Sequence, residues 1–475
     1  MTARLTWLEV VRRQGGPLDV ALADGRCPEC LRVCECRGAR LCRRGAWAAL
    51  WLLRRVRPVG VERRWCVRGV GGASHGPFLL RWEFVLRGYW SADFIKLWVA
   101  SGVSNVGDGV TAVAGPLLTA SLTRDPVLVA GAAFVQALPW LLFSLVSGAL
   151  VDRVDRQRLI MVVDLLRGGV LAGLAVLVAA ESVGVPLLYV VFFLLGTGET
   201  LADTAAVARL PSVVPARHLP SANAVFMATF TVGNQFLAKP LGAALFGAAA
   251  ALPFAFDAVT FVVAAVLVAR MRPVPVERRE RNLRAEIAEG VRFLWSHRLL
   301  RTLAVSMGVA NVAFCSAFSV FVLYARERLG LSAAGYGWLL TTFGVGGLVG
   351  ASMARVLQKR LGTAALLRGG LVVEALTHVG LALTGRAWVA AIVLVVFGVH
   401  TMVWGAIAAT VRQRATPDRL MGRVGSAYAL LDAAGAAGGM VAGGFIAGAF
   451  GLTAPFWVAA VVTGAVVVVA WRGLG

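Results

Sequence analysis

Apolar and polar residues alternate along most of this chain in long blocks rather than singly. From Tyr89 onward, runs of about 20 or more mostly apolar residues are separated by polar gaps. A run of that length crosses the roughly 30 Å hydrocarbon core of a bilayer as an α-helix, which satisfies its own backbone in lipid. The pattern therefore predicts an all-α integral membrane protein. We place about twelve spans at 93–121, 127–150, 158–180, 186–208, 219–249, 252–271, 299–324, 332–356, 362–384, 387–410, 420–448 and 452–472.

The gaps between the spans alternate in charge. Those after spans 2, 4, 6, 8 and 10 are rich in Arg, whereas those after the odd-numbered spans are short and nearly neutral. Positively charged loops stay on the cytoplasmic side of a membrane. The alternation therefore predicts that both termini are cytoplasmic.

The longest and most polar gap, 272–298, divides the predicted spans six and six. A stripe of apolar residues at helical spacing runs through it, namely Leu283, Ile287, Val291 and Leu294. This spacing predicts an amphipathic helix, which either lies on the membrane surface or simply connects the halves. We predict an N-terminal half over 87–271, a cytoplasmic linker over 272–298 and a C-terminal half over 299–475.

The two predicted halves resemble each other in sequence. GALVDRVDRQR at 148 resembles GASMARVLQKR at 350, and PARHL at 215 resembles PDRLM at 417, both at an offset of 202 residues. Two matches at one offset, each in the corresponding loop, indicate a duplicated six-span unit in the same orientation. Parallel repeats of this kind build transporters from two six-helix halves.

Composition excludes several other classes of protein. The chain is 58% hydrophobic and 15% charged, so it is far more apolar than a soluble domain. Its net charge of +22 comes from 44 Arg and only 3 Lys. From the first span onward, most of the Arg lie between the apolar runs, so we expect no nucleic-acid partner. No GxxxxGK[ST] or HExxH pattern occurs, so we expect neither ATP hydrolysis, nor another enzymatic activity, nor a cofactor.

Residues 1–86 differ from the rest, because they are rich in Arg and Trp and hold six of the seven Cys. A CxxC pair at Cys27 and Cys30 is followed by further cysteines, so a zinc site is one interpretation. The next pair is CxC, and no clean second half-site follows. We therefore favour a disordered extension, or sequence upstream of the true start, and expect no bound metal.

Several stretches together resemble the major facilitator superfamily. The pattern G-x-L-x-D-R-x-x-R-x-R between spans 2 and 3 is similar to the loop motif of that superfamily. Further stretches are similar to its bacterial multidrug, macrolide and siderophore efflux branch, the transmembrane secretion effectors; these are SNVGDG, QALPWLLFSLVSGALVDRVDR, VVDLLRGG, VVPARHLPSANAV and RQRATPDRLMGRVGSAY. The resemblance runs from about residue 88 to the end. It implies a twelve-helix major facilitator fold that works as a monomer in the bacterial cytoplasmic (inner) membrane.

The resemblance also implies a role for the charged loop between spans 2 and 3. In this superfamily the loop is a conformational latch, here formed by Gly148, Asp152, Arg153, Arg156 and Arg158. Asp152 would face the N-terminal end of span 11, where an anion gains about 0.3–2 kcal/mol. The arginines would pair with acids such as Asp155 or Asp164. Such contacts hold the cytoplasmic side closed in one state of alternating access. The alternative is a loop whose charges only fix the topology.

Polar and charged residues inside the spans are candidates for function, because a charge is costly in lipid. Spans 1, 4, 7 and 10 line the central cavity in this superfamily, and Lys239 of span 5 is a further buried charge. The candidates for proton or substrate binding are Asn105, Asp108, Glu199, Asp203, Lys239, Asn311 and His400. A carboxylate withdrawn from water can take up a proton on one side of the membrane and release it on the other.

Other charged positions have a structural interpretation. Glu199 and Asp203 are one helical turn apart and could form a structural charge cluster. Asp257 is close to the start of span 6, which suggests the outer interface. Glu374 and His378 belong to span 9, which is usually peripheral in this superfamily.

Lys239 departs from the family pattern, since related sequences have Gly-Pro-Pro where this chain has Ala238, Lys239 and Pro240. Lys239 could neutralise Glu199 or Asp203, bind an acidic substrate, or extend its ammonium to the interface. The departure weakens the case for strict proton–drug antiport.

These observations predict a secondary active transporter. We expect an antiporter that exports an amphipathic drug or secondary metabolite in exchange for protons, by alternating access. Siderophore export or uptake of a small solute is the alternative. A membrane sensor or scaffold that does not transport is the alternative from another class.

Overall fold

The computed structural model describes residues 90–151, 154–273, 283–417 and 420–471. Every element described in these ranges is helical. The predictions made for residues 1–86, and for Asp152 and Arg153, lie outside them.

Six helical rods form the first half of the described chain. They are α1 (Ala92–Leu122), α2 (Pro126–Val151), α3 (Arg156–Ala179), α4 (Val185–Val213), α5 (Leu219–Phe230, the π-helical Thr231–Leu237 and Ala238–Ala248) and α6 (Leu252–Ala269). A 3₁₀ turn, Ala216–His218, precedes α5.

A connecting helix and six further rods form the second half. They are α7 (Leu283–Ser296), α8 (Arg298–Ser319, continued by Phe321–Leu323 and the π-helical Tyr324–Arg328), α9 (Ala333–Leu361), α10 (Thr363–Leu383), α11 (Ala387–Ala415), α12 (Met421–Phe450) and α13 (Ala454–Ala470).

Each predicted span coincides with one of these helices, which confirms the all-α membrane fold class. Within the described ranges, nine helices are long and apolar enough to cross a membrane. The rods α1 and α5 are not among the nine, and α13 is a shorter apolar helix of 17 residues. The count of twelve spans therefore stays a prediction.

Local sequence explains where several helices begin. The side chain of Ser91 accepts a hydrogen bond from the Phe94 N–H at the start of α1, and Ser332 does the same for Gly335 at the start of α9. Asp155 accepts from the N–H groups of residues 157 and 158 at the start of α3. Side chains of this type satisfy N–H groups that the first helical turn leaves unpaired.

The buried side chains are arranged differently at the two ends of the bundle. We call these the Trp90 end, where α1 begins, and the Leu122 end, where α1 finishes. At the Leu122 end, one apolar cluster combines Leu117 and Val129 of the first half with Phe321 and Tyr336 of the second. At the Trp90 end, each apolar cluster described lies within a single half. The halves are thus sealed together by apolar packing at the Leu122 end.

Small residues allow the two halves to approach closely. A Cβ at Gly444 of α12 would lie 2.7 Å from the Cβ of Ala130 of α2. A Cβ at Gly344 of α9 would lie 2.8 Å from the Gln235 carbonyl oxygen of α5. Close backbone approach at small residues is how membrane helices gain packing energy, because lipid removes the hydrophobic drive between them.

The connecting helix α7 packs against the first turns of α12. Leu294 is 1% exposed and belongs to a cluster with Leu420 and Val424. Glu289 forms an ion pair with Arg423. A Cβ at Gly290 would lie 2.6 Å from the Arg423 carbonyl carbon, so α7 and α12 touch through their backbones.

Candidate transport site

A buried ion pair joins α1 to α3 inside the first half. Arg167 Nη2 donates to Asp108 Oδ1 over 2.5 Å, and Arg167 is 5% exposed. The guanidinium also lies over the Phe261 ring of α6, 4.1 Å from its centroid. Sequence reasoning selects Asp108 but misses Arg167. The available signal is an Arg embedded in the apolar run of span 3, in VVDLLRGG.

The ion pair borders a cavity of about 260 Å³, which we call the N-half cavity. Charged residues from α1, α3, α4, α5 and α6 line it, namely Asp108, Arg167, Glu199, Lys239 and Asp257. Its remaining polar lining is Thr111, Gln136, Asn234 and Gln235. The structure therefore brings three of the predicted candidates, Asp108, Glu199 and Lys239, to one cavity.

Asp257 lies in the buried core, so its assignment to the outer interface is wrong. Its side chain is 1% exposed and accepts a hydrogen bond of 2.5 Å from the Thr111 hydroxyl of α1. The hydroxyl of Thr260 lies 2.9 Å from its other carboxyl oxygen. A Cβ at Gly107 of α1 would collide with this carboxyl group, so Gly107 provides the room for it.

Asp203 faces a second, smaller space beside the first. This cavity of about 30 Å³ is lined by Asn105, Asp164, Arg167 and Asp203, among others. Asp164 is 3% exposed, whereas Asp203 is exposed. Arg167 lines both cavities, whereas Glu199 lines the larger one and Asp203 the smaller one, so the surroundings of the two acids differ.

The predicted candidate Asn105 forms one hydrogen bond within α1 and one with α5. Its side-chain amide donates to the Ser101 backbone carbonyl over 2.7 Å, and its backbone carbonyl accepts from the Asn234 side-chain amide over 3.0 Å. The side chain is therefore held by the protein, at the edge of the smaller cavity.

A π-helical turn shapes the α5 wall of the N-half cavity. Pro240 has no N–H for the carbonyl four residues earlier, and the preceding stretch Thr231–Leu237 adopts wider π-helical turns. Asn234, Gln235 and Lys239 on this stretch and just after it line the cavity. Among the described residues, no carboxylate lies within 4.0 Å of the Lys239 ammonium, so the proposed neutralisation by Glu199 or Asp203 is not seen.

The candidates of the second half line a separate pocket of about 150 Å³, which we call the C-half pocket. Asn311 of α8 donates to the Asp432 carbonyl of α12 over 2.8 Å. His400 Nε2 of α11 lies 3.7 Å from Glu374 Oε2 of α10. Glu374 is 7% exposed and lines this pocket, so its assignment as peripheral is wrong. The His378 ring forms a hydrogen bond with the Glu374 backbone carbonyl, one turn earlier in α10.

The described part of the charged loop contacts its own half. Arg156 Nη1 donates to the Ala208 carbonyl of α4 over 2.9 Å. Arg158 Nε lies 3.9 Å from Asp155 Oδ2, and Asp155 caps α3. Gly148 belongs to α2. The latch role of this loop stays a prediction.

Comparison with known proteins places this geometry in context. Residues 89–473 match the model of the transmembrane secretion effector family. The multidrug efflux pump Tap of Mycolicibacterium fortuitum is 28% identical over 375 residues, covering 75% of this chain and 90% of Tap. The enterobactin exporter EntS of Salmonella typhimurium is 26% identical over 348 residues, covering 70% of this chain and 80% of EntS.

Solved structures show the same fold. The crystal structure of a bacterial homologue of the iron transporter ferroportin, in its inward-facing state, superposes with a TM-score of 0.65 at 17% identity. The match covers 81% of this chain and 98% of that one.

Proposed function

Because this chain belongs to the transmembrane secretion effector family of major facilitator transporters, we propose that it exports an amphipathic small molecule in exchange for protons. The proton-binding groups in this proposal are Asp108 and Glu199 of the N-half cavity. The substrate moves by alternating access between the two halves.

The charge balance of the first half carries the proposal. Five carboxyl groups line the two adjoining cavities, namely Asp108, Asp164, Glu199, Asp203 and Asp257. The cations in the same linings are Arg167 and Lys239. Unpaired ionised carboxylates are costly inside a membrane protein. Protons neutralise the excess, and a site that must bind protons can couple transport to a proton gradient.

Arg167 gives proton binding a structural consequence. Its Nη2 binds Asp108, while its Nε has no hydrogen-bond partner among the described residues. A proton on Asp108 weakens the ion pair and frees the guanidinium to turn toward another carboxyl group. Since the pair joins α1 to α3, its release changes how these helices are held together.

The packing of the two halves supports the alternating-access part of the proposal. Apolar side chains seal the Leu122 end, whereas the clusters described at the Trp90 end stay within each half. With the Trp90 end on the cytoplasmic side, as the Arg-rich loops predict, this is a cytoplasm-facing state. Closure of that end would then bring Asp152 to the start of α12.

Transport into inverted membrane vesicles under an imposed proton gradient tests the proposal. Asp108→Asn and Glu199→Gln remove the two proton-binding groups, and Glu181→Gln removes an exposed carboxylate of the same half as a control. We expect gradient-driven uptake of ethidium or a macrolide in the wild type and the control, and its loss in the two cavity variants.

Two results would contradict this function. Full gradient-driven transport by both cavity variants would show that residues other than Asp108 and Glu199 bind the coupling protons. No flux by the wild type across a broad panel of drugs and metabolites would instead favour a membrane sensor or scaffold.

Siderophore export is a second candidate function, and Lys239 favours it. Lys239 lines the N-half cavity, and no carboxylate among the described residues lies within 4.0 Å of its ammonium, so it can receive an acidic group of a substrate. Lys239→Gln should then abolish export of a catechol siderophore and spare export of a cationic drug. If Lys239→Gln exported both the siderophore and the cationic drug at the wild-type rates, the second function would be excluded.

A further inference from the structure

The C-half pocket has the size of one end of a molecule rather than of a whole amphiphile. It lies between α8, α10 and α11 and has a volume of about 150 Å³. An apolar cavity of about that volume holds one benzene-sized group. Aromatic side chains supply three of its walls, namely Phe314, Phe397 and Trp404.

The protein itself already uses most of the polar groups in this pocket. The Asn311 amide donates to Asp432, the Thr401 hydroxyl donates to the Phe397 carbonyl over 2.8 Å, and the Trp404 indole donates to the Leu367 carbonyl over 3.2 Å. Glu374 and His400 are the exceptions. Their 3.7 Å separation is longer than a hydrogen bond, so the carboxylate keeps its capacity to accept.

The carboxylate of Glu374 also lacks a permanent counter-charge. Among the described residues, no Lys or Arg lies within 4.0 Å of it, and its partner at that distance is the His400 ring. The contrast with the N-half cavity is direct, because Asp108 there is paired with Arg167. A buried carboxylate without an internal cation is neutralised either by a proton or by a cation from outside.

We propose that the C-half pocket binds the positively charged end of the transported substrate, as a substituted ammonium group. Glu374 supplies the counter-charge, and the faces of Phe314, Phe397 and Trp404 surround the ammonium carbons through cation–π attraction. An anionic end group is repelled by the carboxylate, and a neutral one leaves it unpaired, so the pocket selects for charge. This inference rests on the proposed export function and names its substrate class as amphipathic organic cations.

Equilibrium binding to the purified full-length protein tests the pocket without any gradient. The probe is benzyltrimethylammonium, titrated calorimetrically, with benzylsulfonate as an anion of similar size. We expect the wild type to bind the cation and not the sulfonate. Glu374→Gln should weaken cation binding by about tenfold or more, since it removes the counter-charge and keeps the shape. Glu327→Gln makes the same change at an exposed position of the second half and should bind like the wild type.

Two further variants keep the test decisive. Phe314→Leu keeps the Glu374 carboxylate and removes one aromatic face, so it should weaken cation binding. If Glu374→Gln does not fold, this variant alone tests whether the pocket binds the cation. His400→Gln should retain binding within about threefold, because the ring does not supply the counter-charge. Wild-type affinity in both Glu374→Gln and Phe314→Leu would overturn the proposal. So would equal binding of the sulfonate, or a loss in His400→Gln as large as in Glu374→Gln.

Failure of the pocket and failure of the transport function give different results. If the wild type binds the cation but shows no flux, the binding-pocket proposal stands and the proposed export function fails. Gradient-driven flux of this cation that is unchanged in Glu374→Gln would refute the pocket and keep the exporter.

Discussion

Gly198 of α4 leaves the space that the aliphatic part of Arg167 occupies. A Cβ at position 198 would lie 2.7 Å from both Cγ and Cδ of Arg167. The aliphatic part of Arg167 therefore packs directly against the α4 backbone at position 198. Its guanidinium reaches Asp108, with 2.5 Å between Nη2 and Oδ1. The position of the buried ion pair thus depends on a residue that carries no charge.

We expect Gly198→Ala to displace Arg167 and to weaken its ion pair with Asp108. The added methyl group overpacks a buried contact, which costs about 1–3 kcal/mol. Gradient-driven transport in vesicles should fall, and the melting temperature of the purified protein should drop.

Gly173→Ala in α3 is the control, because no atom outside its own helix lies within 4 Å of the position that the added methyl group would take. There the exchange should be neutral or should stabilise the helix by about 0.5–1 kcal/mol. Equal transport and equal stability of the two variants would show that Arg167 does not need the space at Gly198.

Removing the Thr111 hydroxyl should destabilise the first half through Asp257. Thr111→Val keeps the shape of the side chain but takes a donor from a carboxyl group that is 1% exposed. The loss of such a hydrogen bond costs about 1–3 kcal/mol, measured as a lower melting temperature in detergent.

Thr119→Val in the same helix is the matched control. The Thr119 hydroxyl is also fully buried, but it donates to the Gly115 carbonyl within its own helix. That carbonyl keeps its helical partner, so the cost should be smaller. Identical melting temperatures for the two variants would mean that Asp257 does not depend on Thr111.

The positions of the membrane helices can be predicted from the sequence, because each rests on a long apolar run. The apolar pattern places span 1 at 93–121 and the helix is Ala92–Leu122, where Ser91 caps its first turn. Lipid leaves such a run no alternative to a helix, so tertiary contacts hardly alter its limits.

The inner site can be predicted only in part, because it depends on which helix faces meet. Asp108 and Glu199 stand out in the sequence as charges in spans 1 and 4. Arg167 is missed and Asp257 is assigned to the outer interface, because the room for these side chains comes from Gly198 and Gly107 on neighbouring helices. A single sequence shows the glycines but not the side chains that they admit.

Two aspartates of the charged loop should behave differently when each is changed to Asn. Asp152→Asn should lower gradient-driven transport, because the predicted latch needs an anion at the start of α12. Asp155→Asn should transport like the wild type, because Asp155 caps α3 and Asn caps helices equally well. Transport that is unchanged in Asp152→Asn would leave the loop as a topology determinant only.

The connecting helix α7 should detach from α12 when Gly290 gains a branched side chain. A Cβ there would lie 2.6 Å from the Arg423 carbonyl carbon and 3.0 Å from its Cβ, and backbone atoms cannot turn aside. Gly290→Val should therefore cost about 1–3 kcal/mol of docking energy. A detached α7 unfolds more readily and presents the peptide bond after Arg292 to trypsin, which should cleave there about tenfold faster than in the wild type. Ala288→Val places the same branched side chain at an exposed position of α7 and should be cleaved at the wild-type rate. Equal cleavage of the two variants would show that α7 is not held at Gly290.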